Sequence, residues 1–286
     1  MRQEIFEEHG LTISVGVSFN KIFAKLGSDY KKPDAVTVIT KENYKDIVWQ
    51  LKASDLLYVG RATENKLRQL GVHTIGELAN FPIDLLRKNF GKWADVLHMF
   101  SNGLDFSPVM KSDESSAVKS IGNSTTAIRD LRCFEDAKII FMVLCDSVCR
   151  RMREQGFRAR TVCINIRNSE LSSFTRQKKL IRSTNLTNDI LSACLELFKN
   201  NCNFDKNIRS LGVSVTDFEA DTSSQQVSIF EDETKIIKNE QLDHTLDIIK
   251  NRFGSFSINP AKLMFDKELS DFSPKDEHTV HPVGYF

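Results

Sequence analysis

The feature that most constrains the fold is the order of apolar patterns between residues 119 and 218. Strand patterns alternate here with helix patterns, in which apolar residues recur every three or four positions. The six segments are Ser120–Arg129, Phe134–Glu154, Thr161–Arg167, Phe174–Arg182, Leu186–Phe198 and Ile208–Asp217. The order β-α-β-β-α-β predicts a four-stranded sheet with two helices on one face. The other face of such a sheet is open to a ligand.

The open face of this predicted sheet is small and polar. Along the last strand the apolar residues Leu211, Val213 and Val215 alternate with small ones, so the two faces differ. The small residues are Ser120, Gly122, Ser124 and Thr126 on the first strand, and Ser210, Gly212, Ser214 and Thr216 on the last. Hydroxyls and backbone amides are common donors to phosphate. With Arg160, Arg182 and Arg209 to supply charge, the pattern favours a phosphate-binding surface, and a merely solvated sheet face is the alternative.

Residues 1–40 have the pattern of a helix end, a strand at Thr12–Val17, a helix from Lys21 and a strand at Ala35–Thr40. Pro33 disfavours helical geometry at Lys32, so the helix is expected to close there. These strands are too few to bury a sheet, and we therefore expect that a partner segment is missing from this sequence.

Residues 41–107 have the pattern of several short helices. Ser54 and Thr63 are the expected N-caps, because short polar side chains accept hydrogen bonds from the first turn of a helix. Glycines are the expected stops, at Gly71, Gly91 and Gly103.

A hairpin with a glycine lies between two of these helices at Tyr58–Arg61, within the segment LLYVGRATENKLRQLGVHTIGELAN. Such a hairpin lets backbone N–H groups meet a DNA phosphate, and the N-terminus of the next helix adds a favourable dipole. The residues expected to contribute are Val59, Gly60, Arg61, Thr63 and Lys66. Simple helix packing is the alternative.

Charge is distributed unevenly, although the net charge is only +1. Basic residues are dense from Lys119 to Arg209, and the sequence turns acidic from Glu219 onward. A basic block of this kind can bind phosphate locally in a chain that is neutral as a whole.

Neither a membrane segment nor a metal site is expected. No apolar run approaches the roughly 18 residues of a spanning helix, and the N-terminus has no signal-peptide core. The six cysteines lack metal-site spacing and indicate reduced thiols in the cytoplasm. Two stretches with histidines, His73–Glu77 and Glu277–His281, lack further ligands and are interpreted as loop or cap residues.

A five-residue segment after the predicted sheet suits a protein partner. Gln226 is followed by the apolar residues Ile229 and Phe230 within a polar stretch. The amide would form hydrogen bonds in a pocket while the two apolar side chains are buried there. The alternative is that these two residues dock onto the surface of the chain itself.

Three segments in this order resemble Y-family (translesion) DNA polymerases. They are TISVGVSFNKIFAKLGSDYKKP, the hairpin segment, and the region 119–218 with its K-S-I-G opening and I-R-S-L-G-V-S-V last strand. The resemblance implies an α+β chain with a palm remnant at 1–40, an all-α helix-hairpin-helix thumb at 41–107 and a linker at 108–118. A little finger domain at 119–218 and a tail at 219–286 would follow. The ending EHTVHPVGYF resembles the UmuC-like branch found in Gram-positive bacteria.

The resemblance also implies roles for single residues. Lys32 matches the lysine that reaches the phosphates of the incoming nucleotide, and Lys25 belongs to the same motif. Asp29 would orient these lysines or a backbone amide rather than hold a metal ion. The segment Gln226–Phe230 resembles the bacterial peptide that binds the sliding clamp.

In this family the carboxylates that bind two Mg²⁺ ions lie upstream of the matched segments. We therefore expect no catalytic residue, metal or cofactor in this chain, and Mg²⁺ and the incoming nucleotide only in the full-length enzyme. The chain would bind primer-template DNA and the clamp in error-prone DNA repair and the SOS response, and would be inactive as a polymerase alone.

Two alternatives come from other functional classes. One is a natural non-catalytic adaptor that binds DNA and recruits a polymerase to the clamp. The other is a DNA-processing factor that uses the hairpin without nucleotide chemistry, and it predicts no use for Lys32.

Overall fold

The computed structural model describes residues 1–111, 117–221 and 233–274. These residues form two compact units, one within Met1–Ser115 and the other within Ser116–Pro282. Across the described ranges, no helix is long and apolar enough to cross a membrane.

The first unit is built from short helices and a pair of strands. Its elements are α1 (Arg2–His9), β1 (Val15–Ser18), α2 (Lys21–Tyr30), β2 (Val36–Ile39), α3 (Tyr44–Val48), a 3-10 turn at Ala53–Asp55, α4 (Arg61–Gln69), α5 (Ile75–Asn80), α6 (Ile83–Phe90) and α7 (Trp93–Ser101). The two strands are parallel, and α2 lies directly on β1 at Gly16. A Cβ atom at Gly16 would stand 1.9 Å from the carbonyl oxygen of Ala24, so only glycine permits this approach. Buried side chains of α2 and of the later helices form one hydrophobic core, which joins the predicted palm remnant to the predicted thumb.

Asn20 fixes the start of α2 and ties it to the end of the helical region. Its Oδ1 accepts a hydrogen bond from the backbone N–H of Phe23 at 2.8 Å. Its Nδ2 donates to the carbonyl oxygen of Gly103 at 2.9 Å. The polar break between strand and helix in the sequence is therefore a buried N-cap.

Two N-cap predictions are wrong. Ser54 lies inside the 3-10 turn, and Thr63 lies inside α4, whose N-cap is Gly60. Glycine is also common at the N-cap position, so the preference for Ser or Thr there did not determine where α4 begins. The capping box is at α5, where Thr74 accepts from the N–H of Glu77 at 3.1 Å and the Glu77 carboxylate accepts from the N–H of Thr74 at 2.9 Å. The glycine stops are confirmed, because positive φ angles occur at Gly71, Gly91 and Gly103.

The second unit contains the sheet that the sequence pattern predicts. Its elements are β3 (Ile121–Leu131), α8 (Phe134–Glu154), β4 (Phe157–Asn168), β5 (Ser173–Thr184), α9 (Thr187–Asn201) and β6 (Ile208–Ala220). The strands are antiparallel in the order β3-β6-β4-β5. Helices α8 and α9 cover the face that carries Leu211, Val213 and Val215, and the fold class is confirmed. Strand β4 begins earlier than predicted, because Arg158 and Arg160 interrupt its apolar pattern.

The second unit continues beyond the predicted little finger. It includes α10 (Glu233–Phe253), a 3-10 turn at Ala261–Phe265 and α11 (Lys267–Ser270). Apolar residues at helical spacing predict a helix over Thr234–Phe253, and α10 matches it; the two short elements were not predicted. They add Leu263 and Leu269 to the core under α8. The described part of the tail therefore packs as part of this unit.

Candidate nucleic-acid interface

The small polar residues predicted on the open face do lie side by side. Their register pairs them across β3 and β6, as Gly122 with Ser214, Ser124 with Gly212 and Thr126 with Ser210. The hydroxyls of Thr126 and Ser210 are 2.9 Å apart and bonded to each other. The residue before β3, Ser120, is exposed. A continuous stripe of hydroxyls and glycines therefore faces away from α8 and α9.

Strand β4 widens this stripe with residues that were not predicted from the sequence. Its register places Cys163 beside Ser214, Asn165 beside Gly212 and Arg167 beside Ser210. Asn165 and Arg167 are exposed. Their alternation with the buried Ile164 and Ile166 is visible in the sequence and could have identified them.

The glycines keep the stripe flat. A Cβ atom at Gly122 would stand 2.7 Å from the Cβ of Ser214 and 2.9 Å from the carbonyl oxygen of Val213. At Gly212 it would stand 3.1 Å from the Cβ of Ser124. A larger side chain at Gly122 would push the neighbouring strand aside, so glycine there preserves both the sheet and the access to its backbone.

Arg209 is the predicted arginine that the structure leaves free for an external anion. The register of β6 against β4 shifts at this point, from Arg167 with Ser210 to Asn168 with Ile208, so Arg209 is the extra residue of a β-bulge. Such bulges turn a side chain out of the regular alternation. Arg209 is exposed, and among the described residues it makes no hydrogen bond or ion pair. It stands beside the stripe at the end that also carries Arg167.

The other two predicted arginines are engaged within the protein. The guanidinium group of Arg182 bonds to the carboxylate of Asp189 on α9 at 2.8 Å, on the side of the sheet that the helices cover. Arg160 donates to the carbonyl oxygens of Leu180 at 3.4 Å and Ile181 at 3.2 Å, across an irregularity between β4 and β5. The structure does not bring these two groups together with Arg209.

Tyr58 occupies a position in the hairpin of the first unit where the backbone conformation favours glycine. Tyr58 has a left-handed backbone with φ of 71°, a conformation that a side chain disfavours. Its ring packs edge-on against Trp93 and at an angle to Phe100, with centroids 5.9 Å away in both pairs. These contacts hold the residue in the conformation that the turn requires.

The N-terminus of α4 opens directly from this hairpin. The backbone N–H of Val59 donates a hydrogen bond to the carbonyl oxygen of Leu56 at 3.1 Å, which closes the turn. Gly60 has an extended backbone, and no side chain caps the helix. The backbone N–H groups of the first turn, at Arg61 and beyond, are therefore available to an anion. Thr63 is half-buried, and Lys66 is exposed one turn along the same face.

The two lysines of α2 meet on one carboxylate. Lys32 Nζ lies 2.5 Å from Asp29 Oδ1, and Lys25 bonds to the other oxygen of the same group. The hydrogen bond from Lys25, followed by that from Lys32, lowers the pKa of Asp29. Asp29 thus holds both ammonium groups at one place while leaving a net positive charge there.

In the ranges that the structure describes, no three His, Cys, Asp or Glu side chains are grouped to hold a metal ion. His73 directly precedes the capping box of α5, and its backbone N–H donates to the Glu77 carboxylate at 2.6 Å. The predicted clamp-binding residues Gln226, Ile229 and Phe230 lie outside the described residues, as does the stretch Glu277–His281.

Two family models match the chain. The model described as the impB/mucB/samB family C-terminal domain matches residues 118–229. The model described as the DNA polymerase-iota thumb domain matches residues 54–105. They cover the unit with the open sheet and the helices around the hairpin.

Curated relatives carry the name DNA polymerase IV. That of Acetivibrio thermocellus is 46% identical over 270 residues, which are 94% of this chain and 68% of that protein. That of Clostridium kluyveri is 35% identical and covers 92% of this chain and 66% of its own length. DNA polymerase IV 2 of Bacillus subtilis is 36% identical, with 89% and 62% covered. The chain therefore spans about two thirds of the length of these relatives.

A solved structure shares the fold. A Y-family DNA polymerase chimera of Dbh and Dpo4 aligns with a TM-score of 0.60 at 22% identity, over 75% of this chain and 61% of that one. The relatives are named DNA polymerase IV, so the assignment to the UmuC-like branch stays a prediction. Because two family models match this chain and a relative is 46% identical over 94% of it, the chain belongs to the Y-family of DNA polymerases.

Proposed function

We propose that this chain is the part of a translesion DNA polymerase that binds the primer-template duplex. The observation that carries the proposal is the open face of the sheet. Hydroxyls, glycines and backbone groups line it over three neighbouring strands, and Arg167 and Arg209 stand at one end. Such a surface can follow a phosphate backbone without reading the bases. A polymerase that must accept any template sequence needs this kind of contact.

The hairpin before α4 supplies a second contact in this proposal. Its uncapped N–H groups and the helix dipole favour a phosphate, and Arg61 adds charge beside them. Thr63 and Lys66 extend the contact by one turn. No base edge is required for either surface, so binding is expected to depend on salt more than on sequence.

The lysine pair on α2 is proposed to serve the incoming nucleotide in the full-length enzyme. Two ammonium groups held by Asp29 form a compact cationic site for phosphate oxygens. Mg²⁺ on carboxylates outside this sequence would supply charge stabilisation for nucleotidyl transfer. The chain alone is proposed to bind DNA without extending a primer.

The peptide Gln226–Phe230 is proposed to bind the sliding clamp. The support is its sequence: a glutamine followed by apolar residues three and four positions later. Gln226→Ala with Phe230→Ala is expected to abolish capture of the clamp in calorimetry. A matched Ser223→Ala with Ser224→Ala variant, in the same stretch, is expected to leave it intact.

The test of the open face uses a thiol that the sheet itself provides. Cys163 lies in the stripe beside Ser214, whereas Cys133 is exposed at the start of α8. A primer-template duplex at ten times its Kd is expected to slow alkylation of Cys163 about elevenfold, the factor 1 + [L]/Kd. Alkylation of Cys133 in the same sample should be unchanged. Equal rates at Cys163 with and without bound duplex would refute the assignment of this face.

Primer extension separates the proposal from its alternatives. A preparation of the 286-residue chain with duplex, Mg²⁺ and four nucleotides is expected to show binding without extension. In the full-length enzyme, Lys32→Ala is expected to lower the rate of incorporation. A DNA-processing factor would show no effect at Lys32, and an adaptor would have no full-length form with activity.

A further inference from the structure

The arginines at the end of α8 and the start of β4 are covered by a helix that the family model does not include. The matched domain ends at residue 229, and α10 follows it. Arg153 donates to both oxygens of Asp247, at 2.6 and 2.9 Å, and lies 3.2 Å from a carboxylate oxygen of Asp243. Arg158 contacts Glu240 of α10 at 3.3 Å and also pairs with Asp221. Arg153 and Arg158 thus meet acidic residues of α10, whereas Arg150 bonds to the side chain of Asn251 on the same helix. These three arginines define the arginine surface.

α10 faces this surface with its charged side. Asp243 and Asp247 are each 8% exposed and Lys250 only 4%, whereas Ile248 is 55% exposed and Phe253 65%. A helix that docks through the hydrophobic effect would instead bury its apolar residues and expose its charged ones. Lys250 adds an ion pair with Asp146 of α8 at 2.8 Å. Complementary charge, rather than an apolar stripe, therefore selects the docked face of α10.

Arg153 binds the Asp247 carboxylate with the geometry that arginine also uses to bind a phosphate. Two parallel N–H donors of one guanidinium hold two oxygens of one anion, which is the arrangement shared by carboxylate and phosphate ligands of arginine. Asp243 and Asp247 repeat along one face at a rise of about 6 Å, so they present anions in a row. Arg150 completes the surface, with a side chain 6% exposed. Its guanidinium bonds to Asn251 and, at 3.4 Å, to Ser255, and its Nε lies 3.6 Å from the Glu154 carboxylate.

We propose that the arginine surface is a second nucleic-acid-binding surface, and that the carboxylates of α10 occupy it in place of phosphates. It lies on the side of the unit that carries α8 and α9, away from the open face of the sheet. The choice of nucleic acid as the ligand rests on the proposed function; the charge-selected docking of α10 does not. Duplex or single-stranded DNA competes with α10 because binding its phosphates releases counterions, and this gain grows as the salt concentration falls.

Hydrogen exchange of the unaltered 286-residue chain is the first test. At low salt, excess duplex is expected to accelerate exchange of the α10 amides while it slows exchange in β3 and β6. At high salt the effect on α10 should disappear. Amides of α10 that keep the same exchange rate at every DNA and salt concentration would overturn the proposal, whatever happens at the sheet.

Neutral variants of α10 give the second test. Asp243→Asn with Asp247→Asn weakens the docking of α10. At a salt concentration at which α10 stays docked in the unaltered chain, this variant is expected to raise the number of bound duplexes from one to two. The additional event should have a log Kobs slope against log salt of about −2 to −3, as three arginines contribute roughly 0.9 each. The control, Glu268→Gln with Asp271→Asn, removes the same charge from exposed positions of the same unit. A stoichiometry of one in both variants would count against the second surface.

The two DNA surfaces can fail separately. Arg167→Ala with Arg209→Ala should weaken the first binding event and leave the response of α10 to DNA intact. If no DNA binds to any variant, the proposed function is wrong, and the second surface with it. If the neutral variant of α10 does not fold, as its melting curve would show, exchange in the unaltered chain still decides the question.

Discussion

The clearest test of the open face is the removal of its two cations, Arg167 and Arg209. Each is expected to neutralise one phosphate. In the double alanine variant the slope of log Kobs against log salt should therefore be less negative by about 1.8. Between 50 and 200 mM salt, a slope difference of this size means that the unaltered chain loses about twelvefold more affinity than the variant. Anisotropy titrations of a labelled duplex across this range measure both slopes. The expected result is therefore a weaker and less salt-sensitive complex.

A matched control separates the face from the net charge. Arg176→Ala with Lys178→Ala also removes two positive charges from β5, but these side chains bond to Asn201 and Glu196 of α9, at 2.9 and 2.6 Å. They lie on the helix side of the sheet. Removing these two side chains should change the slope of log Kobs against log salt by only about a few tenths. If the slope of log Kobs against log salt falls equally in the control and in the open-face variant, binding depends on total charge and not on the open face of the sheet.

Three further predictions concern the first unit. Tyr58→Gly should be more stable in urea unfolding than Tyr58→Ala by about 1 kcal/mol, because alanine retains the cost of the left-handed backbone; equal stabilities would argue against this turn geometry. Gly16→Ala should lower stability by about 3 kcal/mol through its clash with α2, whereas Gly60→Ala, with open space around the added Cβ, should change it by less than about 1 kcal/mol. The lowered pKa of Asp29 means that its contribution to stability is present at neutral pH and is lost only as the pH falls through that lowered value. Carboxyl NMR titrations should show that Lys25→Ala raises this pKa more than Lys32→Ala does, and the reverse order would contradict the cause assigned here.

Much of the second unit could be predicted from the sequence, because its patterns are local. The alternation of Leu211, Val213 and Val215 with small residues identifies both faces of β6 without knowledge of the partner strands. Helix α8 has the bounds that its apolar spacing predicts. The glycines that end helices in the first unit could likewise be predicted, because a positive φ angle is a property of a single residue.

Other features of the site could not be predicted, because they depend on distant partners. Whether Arg182 faces DNA or Asp189 depends on which side of β5 packs against α9. The bulge that exposes Arg209 arises from the pairing of β6 with β3 and β4. Tyr58 adopts a left-handed backbone that favours glycine, and the contacts that hold it there come from Trp93 and Phe100 of the distant helix α7.

The sequence by itself determined the family, the order of the elements and the polar character of the open face, since motifs and periodicity act within one segment of chain. The tertiary structure decided which charges remain available. Arg153 and Asp247 are 94 positions apart, and only the docking of α10 shows that this part of the basic block is already occupied by carboxylates. The physical reason is that a charge keeps its sign in any fold, whereas its freedom to bind depends on which opposite charge the fold brings next to it.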